Sequence, residues 1–344
     1  MLRNIVVGLG FLLVLFFAVG LVLPDKVHVQ RSIKIQAPDA QVFALVNGFR
    51  HFDQWSPWAD KDPQMKVQIS GPAYGVGAHY EWTGNKDVGS GTQEIVASTD
   101  NAQVKTKLTF AGFERPSLAT FDLESEGPLT RVTWGLEITL GGNPIAHYFG
   151  LLMNRQIGPD YERGLARLKT LAEGGDKTDF SALKANLVDS TVQSYAYVSG
   201  STSTDTDAIG KALAAAYGKV GVYMAAAGLK QAAPPIALTR RWDEQAMVYE
   251  YDAGIPVDRS DAQAPATVNG KPNEVKIAQT YAGPALKIEY RGPYRGMGKT
   301  YGMIDAFKKA YALQDNGLSW EQFISDPGKT PEAQLLTDIY VPVK

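Results

Sequence analysis

The 344-residue chain contains no cysteine. Disulfides, thiol nucleophiles and cysteine-based zinc sites are therefore excluded. Histidine is scarce: the four are His28, His51, His79 and His147, scattered without ligand spacing. No metal site and no cofactor is expected. There is no Gly-x-Ser-x-Gly elbow, no phosphate-binding Gly-Lys-Ser/Thr loop and no His-Glu-x-x-His pair, so no catalytic residue is assigned. The net charge is −2 and no run of like charges occurs, which leaves no basic footprint for nucleic acid. A hydrophobic content of 44% with 20% charged residues describes packed structure rather than disorder.

What the chain does have begins with a long apolar run. Residues 5–23 carry no charge. As a helix rising ~1.5 Å per residue they reach across roughly the 30 Å hydrocarbon core of a bilayer. Signal-peptide cores are shorter, about 7–15 residues. The run reads as an uncleaved anchor occupying residues 1–25. Arg3 precedes it, while Asp25 and Lys26 offset each other after it. The positive-inside bias then keeps the N-terminus in the cytoplasm. A single-pass protein of the cell membrane is expected, its soluble domains periplasmic or extracytoplasmic.

After Pro24 the pattern switches to period two through Val27, Val29, Ile33 and Ile35, a strand. Pro38 and Asp39 open a helix carrying Val42, Phe43, Leu45 and Val46. Strands punctuated by glycine are expected near 66–70, 78–83, 91–99, 102–110, 118–125 and 130–140. A helical region over 145–173 closes the segment, with Gly158-Pro159 expected to kink or break it. This order is the plan of the helix-grip fold. Arg31-Ser-Ile-Lys-Ile-x-Ala-Pro38, Trp55-Ser-Pro-Trp58, Gly71-Pro72, Gly75-x-Gly77 and Gly164-Leu-Ala-Arg-Leu-Lys169 resemble the polyketide-cyclase branch of the START-like (SRPBCC) superfamily. That resemblance implies a domain at 26–173 with an apolar cavity between sheet and long helix, suited to a lipid or other apolar molecule.

Residues 174–189, which include Gly174-Gly-Asp-Lys-Thr-Asp-Phe180, read as a polar linker. Residues 190–344 contain a repeat. A strand near Tyr195, a helix from about 205, Gly228-Leu229 and two strands ending in Pro256-Val257 are echoed downstream. The second set is a strand near 286–290, a helix near 297–313, Gly317-Leu318 and two strands ending in Pro342-Val343. Two strand-helix-strand-strand units imply duplication and a cleft between the halves. The expected class is α+β throughout: an N-terminal transmembrane helix, a helix-grip domain and a duplicated effector-binding-like domain.

The last 25 residues carry one unusual acid. Glu321 sits on an apolar strand between Trp320 and Phe323, and such a carboxylate is costly to bury unless something pairs with it. Aligning the halves by their strand ends sets it against Leu238. Tyr195, Tyr251 and Tyr294 cluster on the neighbouring strands and corners, and an aromatic box around an acid suits a hydrophobic cation. Asp326-Pro327, Thr330-Pro331, Thr337-Asp-Ile-Tyr-Val-Pro-Val343 and Gly292-Pro-Tyr294 resemble the gyrase-inhibitor-like, or AraC-type effector-binding, domain. Phe323 stands where that family usually has tyrosine.

The expected ligand-binding set is Glu321, Trp320, Phe323, Tyr195, Tyr251 and Tyr294. The expected function is a membrane-anchored binding protein, taking an apolar ligand or lipid in its first domain and an amphipathic, cationic one in its second. No nucleic acid is expected as a partner. Two alternatives stand: a hydrolase or cyclase acting on a hydrophobic small molecule, and a structural partner of a membrane complex.

Overall fold

The computed structural model describes residues 2–113, 115–261, 267–268 and 270–344, apart from the side chains of residues 2, 3, 5, 6, 268 and 271. Two compact units emerge: Met1–Ser181 with Ala306–Ala312, and Ala182–Asp305 with Leu313–Lys344.

The first unit opens with helix α1, Leu2–Val22. Residues 5 and 6 of the apolar run fall outside the described side chains. Among the described residues, no helix is long and apolar enough to cross a membrane. The elements that follow are β1 (Lys26–Ile35), α2 (Asp39–Val46), α3 (Phe52–Trp55), β2 (Lys66–Ser70), β3 (His79–Thr83), β4 (Ser90–Thr99), β5 (Gln103–Phe110), β6 (Ser117–Glu126), β7 (Leu129–Thr139) and α4 (Pro144–Gly174). The strands form an antiparallel sheet in the order β1-β7-β6-β5-β4-β3-β2.

Helix α4 starts at an Asn143 cap, whose side chain accepts from the Ile145 amide, with Pro144 in the first turn. It does not break at Gly158-Pro159 but runs unbroken to Gly174. Proline removes a single ladder bond, and Gly158 has no Cβ to crowd the ring that follows it. Gly158 also leaves room for Arg31: a Cβ there would collide with the guanidinium. The apolar residues of the second half of α4, Tyr161, Leu165, Leu168 and Ala172, are buried.

What fills the space between α4 and the sheet is aromatic. Trp134 of β7 stacks on Tyr161 at 3.8 Å and on Phe121 at 5.1 Å. The edges of Trp55 and Trp58 reach Trp134 at 5.4 and 5.7 Å. Gly164 permits this approach, since a Cβ there would meet the Trp134 ring at 2.7 Å. Trp55 is an anchor: its indole N–H donates to the Leu45 carbonyl at 3.2 Å.

Helix α1 is tied to the first turns of α4. Both ring nitrogens of His147 lie 2.7 Å from carbonyl oxygens, Nδ1 from Gly20 and Nε2 from Gly141. Donating to both requires an imidazolium, and the Gly141 and Gly20 carbonyls hold the His147 pKa above its ordinary value. The Tyr148 hydroxyl donates to the Phe16 carbonyl at 2.7 Å, and the two rings stack at 4.3 Å.

The second unit contains β8 (Ala185–Ser190), β9 (Ser194–Thr202), α5 (Thr206–Ala227), β10 (Ile236–Asp243), β11 (Val248–Pro256), β12 (Thr267–Val268) paired with β13 (Lys271–Pro272), β14 (Lys276–Gln279), β15 (Gly283–Arg291), the first part, to Asp305, of α6 (Met297–Ala310), β16 (Trp320–Phe323) and β17 (Leu336–Pro342). Strand β8 lies in the stretch that reads as linker. Helix α5 is capped by Asp205, whose side chain accepts from Ala208, and ends at Gly228 with φ 64. That left-handed position costs glycine least.

The eight-stranded antiparallel sheet runs β14-β9-β11-β10-β16-β17-β15-β8. Its order is palindromic about the β10–β16 pair. β9-α5-β10-β11 on one side is matched by β15-α6-β16-β17 on the other, which is the architecture a duplication predicts.

Candidate functional site

Glu321 lies on β16 at the centre of this sheet, directly across from Ala237 of β10 and Ile339 of β17. Placing Pro256 of β11 on Pro342 of β17 maps Ala253 onto Ile339. Their cross-strand partners, Ala237 and Glu321, then map onto each other. The counterpart of Glu321 is therefore Ala237 and not Leu238. Strand side chains alternate, so this one-residue difference matters: Leu238 pairs with Trp320 and faces the opposite side.

The same alternation divides the expected site residues. Trp320 points away from Glu321 and stacks on Tyr340 at 4.8 Å. Tyr195 packs with it in a cluster that includes Ile236 and Leu238. That face also holds a separate cleft of about 230 Å³, lined in part by Lys287, Trp320, Gln322 and Tyr340. Phe323 shares the Glu321 face, and Tyr294 meets it edge-on at 5.6 Å. Tyr251 is on that face too, two strands away, its ring 5.3 Å from Tyr249. Glu321, Phe323 and Tyr294 therefore come together, Tyr251 stands at the margin, and Trp320 and Tyr195 do not take part.

Three tyrosines outside the expected set complete the site. The Tyr301 hydroxyl, from α6, donates directly to Glu321 Oε1. Tyr217 of α5 donates its hydroxyl to the Ile236 carbonyl at 3.0 Å, and its ring lies 6.5 Å from Phe323. Tyr249 of β11 is close enough that the Glu321 charge raises its pKa, after the larger effect of burial. Thr337, paired with Phe323, has a buried hydroxyl with no hydrogen-bond partner among the described residues. Tyr217, Tyr294, Tyr301 and Phe323 are half-buried, so the box reaches the surface.

Glu321 is buried, and no ion pair joins it to a cation among the described residues. Burial lifts its pKa to about 7, and the Tyr301 hydrogen bond opposes that rise. Tyr301→Phe should consequently raise the Glu321 pKa further, because it removes the donor that favours the carboxylate. Titration of a carbon-13-labelled glutamate carboxyl by NMR reads this directly, and an unchanged or lower pKa would show the bond to be unimportant.

Family models match two stretches of the chain. Residues 26–173 match polyketide cyclase / dehydrase and lipid transport, and residues 188–344 match the GyrI-like small molecule binding domain. The chain is an SRPBCC-type domain followed by a GyrI-like domain.

No curated protein matches the chain. Among solved structures, the EcmrR C-terminal domain is 15% identical, covering 47% of this chain and 98% of its own, with a TM-score of 0.40. A hydrolase from Listeria innocua is 16% identical over 47% and 92%, TM-score 0.35. The Aha1 dimer from Colwellia psychrerythraea is 19% identical over 43% and 97%, TM-score 0.31.

Tyr301, Tyr217 and Tyr249 carry no spacing signal that separates them from packing tyrosines. Two lie on helices whose periodicity reads as core, and only the pairing of α5 and α6 over one acid brings them together.

Proposed function

We propose that the GyrI-like domain binds a lipophilic, cationic small molecule over Glu321, and that α1 anchors the protein in the cell membrane with both domains on the extracytoplasmic side. The observation that carries the ligand reading is the buried carboxyl of Glu321, held by one phenol and surrounded by aromatic rings. A guest cation supplies the countercharge that the fold withholds, and each ring face adds about 0.5–2 kcal/mol. The GyrI-like family description, small molecule binding, is consistent with it. For the anchor, the support is a helix whose large apolar residues from Val7 to Val22 stand exposed, Phe11 at 69% and Leu13 at 61%.

The test is a titration of the full chain in detergent with tetraphenylphosphonium, and with triphenylphosphine oxide as neutral counterpart. Glu321→Gln should weaken the cation at least tenfold at pH 8, about 1.4 kcal/mol, and leave the neutral compound unchanged. Wild-type affinity for the cation should fall as pH drops below about 7, where the carboxyl takes up its proton. Equal binding of both compounds by both proteins would remove the cation reading.

One observation favours hydrolysis as a second reading. Tyr301 places on Glu321 the hydroxyl that Phe323 lacks, and a carboxyl with a pKa of about 7 is tuned for general-base work. Recovery of a bound compound chemically unchanged after long incubation separates binding from turnover.

A further inference from the structure

The N-terminal half of α4 has its apolar side outward. Ile145, Phe149, Leu151 and Leu152 are 43%, 60%, 59% and 49% exposed. Ile145, Phe149 and Leu152 fall at i, i+4 and i+7, one stripe of the helix. The second half of the same helix buries its apolar residues, so the reversal is confined to the turns next to α1. These turns, residues 144–156, contain no acid, and Arg155 is their one permanent charge. A stripe of this kind is seldom left bare on a soluble surface.

Its surroundings continue the pattern. Phe113, on the β5–β6 loop, is 68% exposed. Arg115 of the same loop lies against Gly141 at the start of α4. Arg115 and His147 line an open cleft of about 520 Å³ with Leu21, Leu23, Pro24 and Asp25 at the root of α1. The His147 bond to Gly20 and the Tyr148 bond and stack on Phe16 fix the exposed turns of α4 beside α1. Gly20 allows the two helices to touch, since a Cβ there would sit 2.8 Å from Pro144.

We propose that the first domain rests on a lipid surface through Ile145, Phe149 and Leu152 of α4 and Phe113 of the β5–β6 loop. The occupant is a bilayer because the stripe is continuous with the exposed apolar surface of α1. Arg115 and Arg155 flank it as phosphate partners, and the acid-free turns bring no charge that lipid would repel. This inference rests on the membrane reading of α1.

The absence of cysteine makes the test clean. Single substitutions Leu13→Cys in α1, Phe149→Cys and Leu152→Cys in α4, and Ser125→Cys at the end of β6 each carry one nitroxide. Ser125 is exposed and pairs with Thr130. From there β7 runs nine residues to Thr139, roughly 30 Å from the α1 root at ~3.3 Å per residue. The full-length variants are reconstituted into vesicles of phosphatidylcholine and phosphatidylglycerol in equal parts. Power saturation then compares collisions with oxygen and with a water-soluble nickel chelate. Leu13, Phe149 and Leu152 should show oxygen-to-nickel ratios severalfold above that of Ser125. A lipid-like Leu13 with water-like Phe149 and Leu152 overturns the docking and leaves the anchor standing. A water-like Leu13 overturns the anchor and this proposal with it.

Discussion

Raising the pH from about 4 to 8 should destabilise the GyrI-like domain by about 3 kcal/mol, and Glu321→Gln should abolish most of that loss. The folded carboxyl has a pKa of about 7 against 4.5 for the exposed group. Above 4.5 the unfolded chain begins to release this proton while the folded chain still holds it. The native state therefore binds more protons across this window, and stability falls as pH rises, levelling off above about 7. A gap of about 2.5 units at 1.36 kcal/mol each gives the figure, as an upper value. Denaturant titrations at several pH values, followed by tryptophan fluorescence, measure it. A flat wild-type profile would mean that the carboxyl is ionised and paired in the fold, contrary to its isolation here. Saturating cation at pH 8 should restore much of the loss by mass action, which links this measurement to the ligand.

The second large effect belongs to the first domain. Trp134→Ala should cost about 3–5 kcal/mol, the range for removing a large aromatic from a packed core. Trp134 touches Tyr161 and Phe121 face-on and Trp55 and Trp58 edge-on, so no flexible neighbour can move in to fill the void. Trp134→Phe should cost distinctly less. It keeps most of the packing and removes an indole N–H that is buried without a partner among the described residues. Near-ultraviolet circular dichroism during unfolding reads both variants. A loss of only about 1 kcal/mol for Trp134→Ala would show that the side chain borders open space instead of solid packing.

Much of the fold is legible in the sequence. Period-two runs in the first domain predict its strands to within a residue or two, because turn residues punctuate them, glycine at most breaks and Asn101 between β4 and β5. The repeat in the second domain was visible in its Gly-Leu and Pro-Val marks. Weaker signals were lost: β8 and β14 are short edge strands with mixed polarity, and they take their shape from the sheet they join. Gly158-Pro159 reads as a kink or a break, and the helix continues through it, because the glycine that looks like a second breaker has no Cβ to crowd the proline ring.

The residues gathered around Glu321 are only partly legible in the sequence. An acid on an apolar strand is a strong local anomaly, and Glu321 stands out for that reason. Its surroundings were harder, because adjacency in sequence is the wrong guide on a strand. Trp320, the nearest aromatic in the chain, lies on the far face, while Tyr301 and Tyr217 arrive from helices distant in sequence. Register decided the repeat as well, since a one-residue error in aligning the halves exchanges Ala237 for Leu238 and one face for the other.

The pairing of Glu321 with its own repeat counterpart sets a limit on symmetry. Ala237 and Glu321 face each other across the pseudo-twofold axis, so their Cβ atoms are cross-strand neighbours about 5 Å apart. Were the two halves identical subunits of a dimer, an acid at this position would appear twice. The two carboxyls would then share one proton as a dyad and present a doubled charge to any guest. Fusing the halves into one chain frees the two positions to differ. Alanine on one side and glutamate on the other give a scaffold of twofold shape a single acid with a direction, and a guest bound as proposed would sit across the axis in only one sense.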